Sequence, residues 1–169
     1  ATGSRMGMTR IMRVFIYHRL TDFFGDIPYS EAGQGYITGN LTPVYDPQQD
    51  IYTDMLKELD EAIPQITAND FGAGDILYHG DISKWKKFGY SLMLRLAMRL
   101  TKADIAMAET YAKKAITGGT FTSNDDLAKV DHTAGPEGIN KNGHGEVFSA
   151  DGAVRLHETF VDYLKDHND

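Results

Sequence analysis

The fold of this chain is decided by the stretch DILYHGDISKWKKFGYSLMLRLAMRL, from Asp75 to Leu100. It joins a polar turn, a helix start and a long apolar helix. Asp81 or Ser83 can accept hydrogen bonds from the free N–H groups of the helix's first turn. Apolar residues then recur at the helical spacings of three and four; they are Trp85, Phe88, Leu92, Leu96 and Leu100. The pattern predicts an interior helix with Trp85 in the core rather than on a binding surface.

Helical periodicity continues on both sides of this stretch. Four further helices are predicted, over about Ser4–Phe24, from Asp46 to about Ile63, over about Asp104–Thr117 and over about Ala153–Lys165. Gly25 is placed to end the first in a left-handed conformation. Pro64 predicts a kink or an end just before it. Thr101 and Asp104 suit a capping box in front of the fourth helix in chain order.

These segments predict an all-α fold of antiparallel helix pairs with long loops. Ala108, Ala112 and Ala115 are small positions where the helix from Ser83 could approach closely, a pattern close to a tetratricopeptide unit. The first two helices would form an earlier, looser pair. We expect one helical domain over residues 1–169, with an irregular polar segment over residues 120–152 that is rich in Asn, Asp, Gly, His and Lys.

Composition excludes several classes of function. The 169 residues carry a net charge of −7 and no basic cluster with interleaved aromatics, so nucleic acid is not an expected partner. Without cysteine there is neither a disulfide nor a cysteine-ligated zinc site. His157 and Glu158 begin an HExxH-like string that lacks its second histidine. The sequence also lacks a phosphate-binding glycine loop and a GxSxG elbow. We therefore expect no enzyme and no cofactor.

Metal binding is also not predicted. His132, His144 and Glu146 lie in the polar segment and could collect a surface ion. Histidines without a fixed outer shell are more commonly solvated, so we assign no metal site to them.

Three further strings give the chain a resemblance. They are LTDFFGDIPYSEA from Leu20 to Ala32, PVYDPQQDIYTDMLKELDEAI from Pro43 to Ile63, and LHETFVDYLKDHND from Leu156 to Asp169. Together with Asp75–Leu100, they resemble in order and spacing the SusD/RagB-like family, surface glycan-binding lipoproteins of Bacteroidetes. Members of that family are several times longer, so the resemblance implies that this chain is an N-terminal helical fragment.

The resemblance also implies a function. It is non-catalytic binding of an oligosaccharide at the cell surface, for nutrient uptake together with a TonB-dependent, SusC-like transporter of the outer membrane. Attachment to the membrane would be through a lipid anchor that is absent from this chain. The alternative is a helical interaction module that docks the transporter, with the glycan site elsewhere in the full-length protein.

Sugar rings stack on aromatic faces, and their hydroxyls need fixed polar partners. The loop that follows the first helix supplies both, from Tyr29, Tyr36, Asn40 and Tyr45. Tyr29 and Tyr45 could instead pack beside prolines and only pin the loop. We therefore predict Tyr36 and Asn40 as the ligand-binding residues: the exposed ring of Tyr36 would stack on a sugar, Asn40 would hydrogen-bond a hydroxyl, and neither would support the fold.

Overall fold

A computed structural model describes residues 3–131, 143–150 and 155–168 of the chain. Contacts divide it into two compact units, residues 1–129 and residues 130–169. The described residues are helical and contain no strand, so the predicted all-α class is confirmed. The first unit holds α1 (Gly3–Phe24), α2 (Gly35–Thr38), α3 (Gln48–Gln65), α4 (Ile82–Arg99) and α5 (Ile105–Gly118). The second unit holds α6 (Gly143–Ala150) and α7 (Glu158–Asp166).

Helices α1 and α3 form a close antiparallel pair. At one end the Ser4 hydroxyl donates to the Gln65 carbonyl at 3.3 Å, and at the other the Tyr52 hydroxyl donates to Asp22. Gly7 faces α3 so closely that a Cβ there would lie 2.6 Å from the Ala62 carbonyl oxygen. The pair is therefore tight, and the expectation of a looser unit is wrong because a glycine lets the two backbones approach.

Helix α4 lies against α1, α3 and α5, as an interior helix must. The Asp81 carboxylate caps its start by accepting from the N–H groups of Ser83 and Lys84, at 2.9 and 3.2 Å. Trp85 is 4% exposed, which confirms its predicted place in the core. The other buried apolar residues of this helix are Phe88, Leu92, Met93, Leu96 and Ala97.

Helix α5 runs back along α4. Ala108 and Ala115 are buried, as their small size predicts. The predicted capping box is wrong: the Asp104 carboxylate alone caps the helix by accepting from Met107 N–H at 2.9 Å. Thr101 lies three residues before this N-cap and does not contribute to it; its hydroxyl donates backwards to the Met98 carbonyl at 3.0 Å.

The structure also corrects the end of α3, the segment over residues 143–150 and the start of α7. Helix α3 includes Pro64, which lacks the N–H for one intrahelical bond, and ends one residue later at Gln65, where Ile66 N–H closes the last turn on the Ile63 carbonyl at 3.2 Å. Residues Gly143–Ala150 are helical, which corrects the irregular structure predicted over residues 120–152. Helix α7 begins at Glu158 because His157 Nδ1 caps it by accepting from Thr159 N–H.

Candidate functional site

The loop that joins α1 to α3 is closed at its base. Asp46 N–H donates to the Ile27 carbonyl at 3.0 Å, and the Asp46 carboxylate accepts from the N–H groups of Tyr29 and Ser30 at 3.0 and 2.8 Å. The Ser30 hydroxyl adds a third bond to the carboxylate at 2.7 Å. These bonds, from Ser30 first and then from Tyr29, lower the pKa of Asp46. We call Ile27, Tyr29, Ser30 and Asp46 the loop base.

A second set of hydrogen bonds orders the outer half of the loop. Glu31 Oε2 accepts from Asn40 Nδ2 at 2.8 Å, while Asn40 Oδ1 accepts from Thr42 N–H at 3.0 Å. Gly39, with φ of 74°, ends α2 and turns the chain toward Asn40. The loop therefore has a defined shape despite its length.

Beyond this ordered frame, the loop presents large side chains to solvent. We call them the loop tip: Tyr36, Ile37, Leu41, Val44 and Tyr45. Tyr36 is fully exposed, Ile37 and Leu41 are more than four-fifths exposed, and Tyr45 is 71% exposed. Several large apolar or aromatic side chains exposed along one ordered loop mark a candidate contact surface.

The four candidate residues of the loop have different surroundings in the structure. Tyr36 is exposed as predicted, and Tyr29 is buried in the loop base, as the pinning alternative requires. Tyr45 does not pin the loop, because its ring is in solvent. Asn40 supports the loop, contrary to expectation, since both ends of its amide are hydrogen-bonded within it. One N–H and one lone pair of that amide are left for a ligand.

A polar groove of about 650 Å³ begins at the loop base and follows α1 and α3. The Arg13 guanidinium lies 4.2 Å from the centre of the Tyr29 ring and donates to its hydroxyl at 3.0 Å. That hydroxyl donates to Asp54 at 2.7 Å, and burial first, then this bond, raises the pKa of Tyr29. Tyr29 thus stays protonated and joins the loop base to the groove.

The groove was missed from the sequence, although a signal was present. Its acidic wall is Asp50, Asp54 and Glu58, which recur every four residues along one face of α3. Arg10 and Arg13 face this wall from α1, with Arg10 Nη2 at 3.3 Å from Glu58. Periodicity identifies each face, but the pairing of the two faces depends on how the helices pack.

The loop tip and the groove carry groups that suit non-covalent contacts. The loop tip offers an aromatic ring, and the groove offers charged donors and acceptors. The described residues contain no group of three or more side chains placed to hold a metal ion. His132 lies outside the described residues, as do the side chains of His144 and Glu146. No helix of the described part is long and apolar enough to cross a membrane.

Antiparallel helix pairs joined by a long, ordered loop define a class of helical-repeat scaffold proteins. The SusD-like family model, described as "Starch-binding associating with outer membrane", matches residues 1–169. The chain belongs to this SusD-like family.

Solved structures agree with the assignment. A chitin-binding protein is 41% identical over 100% of this chain and 35% of its own, with a TM-score of 0.87. A SusD-like protein of Bacteroidetes is 33% identical, covering 99% of this chain and 34% of its own, with a TM-score of 0.82. A chitin-binding SusD homologue from Flavobacterium johnsoniae is 35% identical, covering 79% and 28%, with a TM-score of 0.67. The chain thus spans about a third of these relatives. A search of curated proteins finds no match.

Proposed function

We propose that this chain is the helical part of a surface protein that captures an oligosaccharide without chemistry. The observation that carries the proposal is the fully exposed ring of Tyr36 on a loop closed by Asp46 and Glu31. Because the backbone that carries the ring is already ordered, stacking on the C–H face of a sugar has to order only the side chain. Asn40 lies on the same loop, with hydrogen-bonding capacity left for a hydroxyl.

Chitin-type oligosaccharides are the first ligands to test. Two of the similar structures carry chitin binding in their descriptions, at 41% and 35% identity. Each sugar unit of such an oligosaccharide presents an N-acetyl group, with an amide and a methyl, as well as ring hydroxyls. The loop tip supplies apolar neighbours for such a methyl in Ile37 and Leu41.

The family description places its members in association with the outer membrane. We propose that the full-length protein is lipid-anchored there, exposed at the cell surface, and hands its glycan to a TonB-dependent, SusC-like transporter. Family membership supports this partnership.

A second function is favoured by the make-up of the loop tip. Ile37, Leu41 and Val44 are aliphatic and exposed, and such residues suit a protein interface better than a sugar. In this alternative the loop docks the transporter and the glycan is bound elsewhere in the full-length protein.

The deciding experiment compares Tyr36→Ala with the unchanged chain for binding of chitohexaose by titration calorimetry. We expect the variant to bind about 1 to 3 kcal/mol more weakly, because a few aromatic residues usually dominate a contact surface. Its free energy of unfolding should stay within about 0.5 kcal/mol of the parent, as for surface positions generally. Tyr163→Ala, which removes an exposed ring of α7, is the matched control and should bind normally.

Equal affinity of parent and Tyr36→Ala would remove the loop from the glycan site. The same variant should then be tested for binding to the transporter. Lost docking with unchanged glycan affinity would establish the alternative.

A further inference from the structure

A second pocket lies where four helix ends meet. The C-terminal turns of α1 and α4 and the N-terminal turns of α3 and α5 enclose about 450 Å³, a size within the range of small-ligand sites. Its lining is contributed by all four helix ends, from Asp22, Gln48, Gln49, Tyr52, Thr53, Arg99, Leu100, Ala103, Asp104 and Met107. It shares no lining residue with the polar groove, and no loop-tip residue lines it.

Arg99, the cationic side chain that lines this pocket, is paired with a mostly buried carboxylate. The Tyr52 hydroxyl donates to Asp22 Oδ1, and Asp22 Oδ2 lies 3.2 Å from Arg99 Nη2. Tyr52 is buried and the Asp22 side chain is 14% exposed, whereas that of Arg99 is 51% exposed. Arg99 therefore has a fixed, mostly buried ion-pair partner on one side, and its half-exposed guanidinium lines the pocket with N–H groups to spare.

Acceptors and an apolar patch complete the lining. Asp104 uses Oδ1 to cap α5, which leaves its other oxygen for a ligand, and the exposed Gln49 adds an amide. Leu100 and Met107 are half-buried and form an apolar floor beside Arg99. Donors and acceptors around such a floor match a ring that carries hydroxyls at its edge and C–H groups on its face.

The charge of the pocket restricts the class of ligand that it could bind. Asp22 and Asp104 against Arg99 give an excess of one negative charge, which disfavours an anion. A metal ion would need more oxygen ligands than the two carboxylates, and the guanidinium repels it. A neutral polyhydroxylated ring avoids both objections.

We propose that this end pocket is a separate binding site for a single neutral pyranose, such as a terminal residue of a glycan. The proposal rests on the chain's role in glycan capture but not on the loop tip. Asp22 and Tyr52 act as positioning residues, while Arg99, Asp104 and Gln49 contact the sugar.

The test uses the full chain with methyl-labelled methionine and leucine, titrated with N-acetylglucosamine and, separately, with glucose. Saturable shifts of the Met107 and Leu100 methyl signals are expected. Arg99→Lys keeps the charge but loses the planar fork, and should weaken binding about tenfold. Gln49→Ala, at an exposed position of α3, should weaken it as well. Lys57→Ala, on the same helix but outside the pocket, should change nothing.

Tyr36→Ala distinguishes this proposal from the function proposed for the loop. The Met107 and Leu100 shifts should persist in that variant. The pocket proposal is wrong if the methyl signals do not move with either sugar. It is also wrong if they move equally in the parent, Arg99→Lys and Gln49→Ala. Neither result bears on the function proposed for the loop. Loss of the shifts in Tyr36→Ala would assign them to the loop and also overturn the pocket. If the methyl signals shift and the affinity for chitohexaose is the same in the parent and in Tyr36→Ala, the pocket is supported as a sugar site and the loop is excluded from the glycan site.

Discussion

The indole N–H of Trp85 donates a 2.9 Å hydrogen bond to Oδ2 of Asp75, and both side chains are buried. The same carboxylate accepts from the N–H groups of Leu77, Tyr78 and Gly80, at 3.1, 3.1 and 2.8 Å. Burial opposes ionisation, but the four bonds outweigh it and lower the pKa of Asp75. The turn before α4 is thus organised around the buried carboxylate of Asp75, which Trp85 of α4 helps to stabilise.

Trp85→Ala should lower the free energy of unfolding by about 3 to 5 kcal/mol, as for a large buried aromatic residue. Trp85→Phe keeps most of the packing but removes the donor, and should cost about 1.5 to 3 kcal/mol because a buried carboxylate loses a partner. Urea denaturation measures both. Unchanged stability of Trp85→Ala with lost glycan binding would instead make Trp85 a sugar platform.

Gly7→Ala should destabilise the chain by about 1 to 3 kcal/mol, the usual cost of overpacking. The added Cβ would meet the Ala62 carbonyl oxygen at 2.6 Å and Ile66 Cγ1 at 2.9 Å, and backbone cannot move aside as a side chain can. Gly3→Ala is the control on the same helix. Its Cβ would lie 3.4 Å from the Gln65 carbonyl oxygen, so its stability should stay within about 0.5 kcal/mol of the parent. Equal thermal midpoints for the two variants would show that α1 and α3 are further apart than described.

His18 should make the fold sensitive to acid. Burial lowers its pKa; Asp22 on α1 acts in the opposite direction, and Arg95 on α4 adds to the lowering. The folded state therefore binds the proton less readily than the unfolded state. Stability should be complete above the unfolded pKa of about 6.5 and decline as the pH falls toward the lower folded value.

The measurement for His18 is the urea midpoint at pH 7.5 and at pH 5.5. The parent should lose stability between them, and His18→Leu should lose less, whatever its absolute stability. His79→Asn is the control, since His79 is exposed and its φ of 51° suits asparagine. It should keep the full acid response of the parent. An identical loss in parent and His18→Leu would assign the response to other groups.

Asp46→Ala should open the loop base while leaving the helices in place. Tyr29 and Ser30 lose the acceptor of their N–H groups, so hydrogen exchange of these two amides should accelerate at least tenfold. Glycan affinity should fall with the loss of preorganisation. Asp50→Ala, an exposed change in the first turn of α3, should leave the two amides protected. Slow exchange in Asp46→Ala would mean that the loop is held from elsewhere.

Local signals in the sequence account for most of the fold. The start predicted at Ser4 lies one residue from the observed Gly3, and Gly25 has the left-handed φ of 74° expected of a residue that ends a helix. Asp81 caps α4 through its own side chain, as one of the two residues considered. Such features depend on a few neighbouring residues, and their physics is visible in any short window of the chain.

The remaining features depend on residues distant in the chain. Tyr29 and Tyr45 each follow a short Pro-containing string. Tyr29 is buried, and its hydroxyl is hydrogen-bonded to Arg13 and Asp54, whereas the ring of Tyr45 is 71% exposed. The sequence predicts Asn40 as a free ligand group, since nothing in its immediate neighbourhood identifies Glu31, nine residues away, as its partner. The burial of Tyr29 depends on the packing of α1 on α3, which brings Arg13 near Asp54, whereas the Asn40–Glu31 bond depends on the shape of the loop itself.

The closed loop base separates the outer loop structurally from the helices on either side of it. Since Asp46 returns the backbone to Ile27 before α3 begins, the segment between them can change in composition or length at small cost to the helices. Relatives that share this scaffold could therefore exchange the outer loop as a cassette, and acquire a new ligand preference without a new fold.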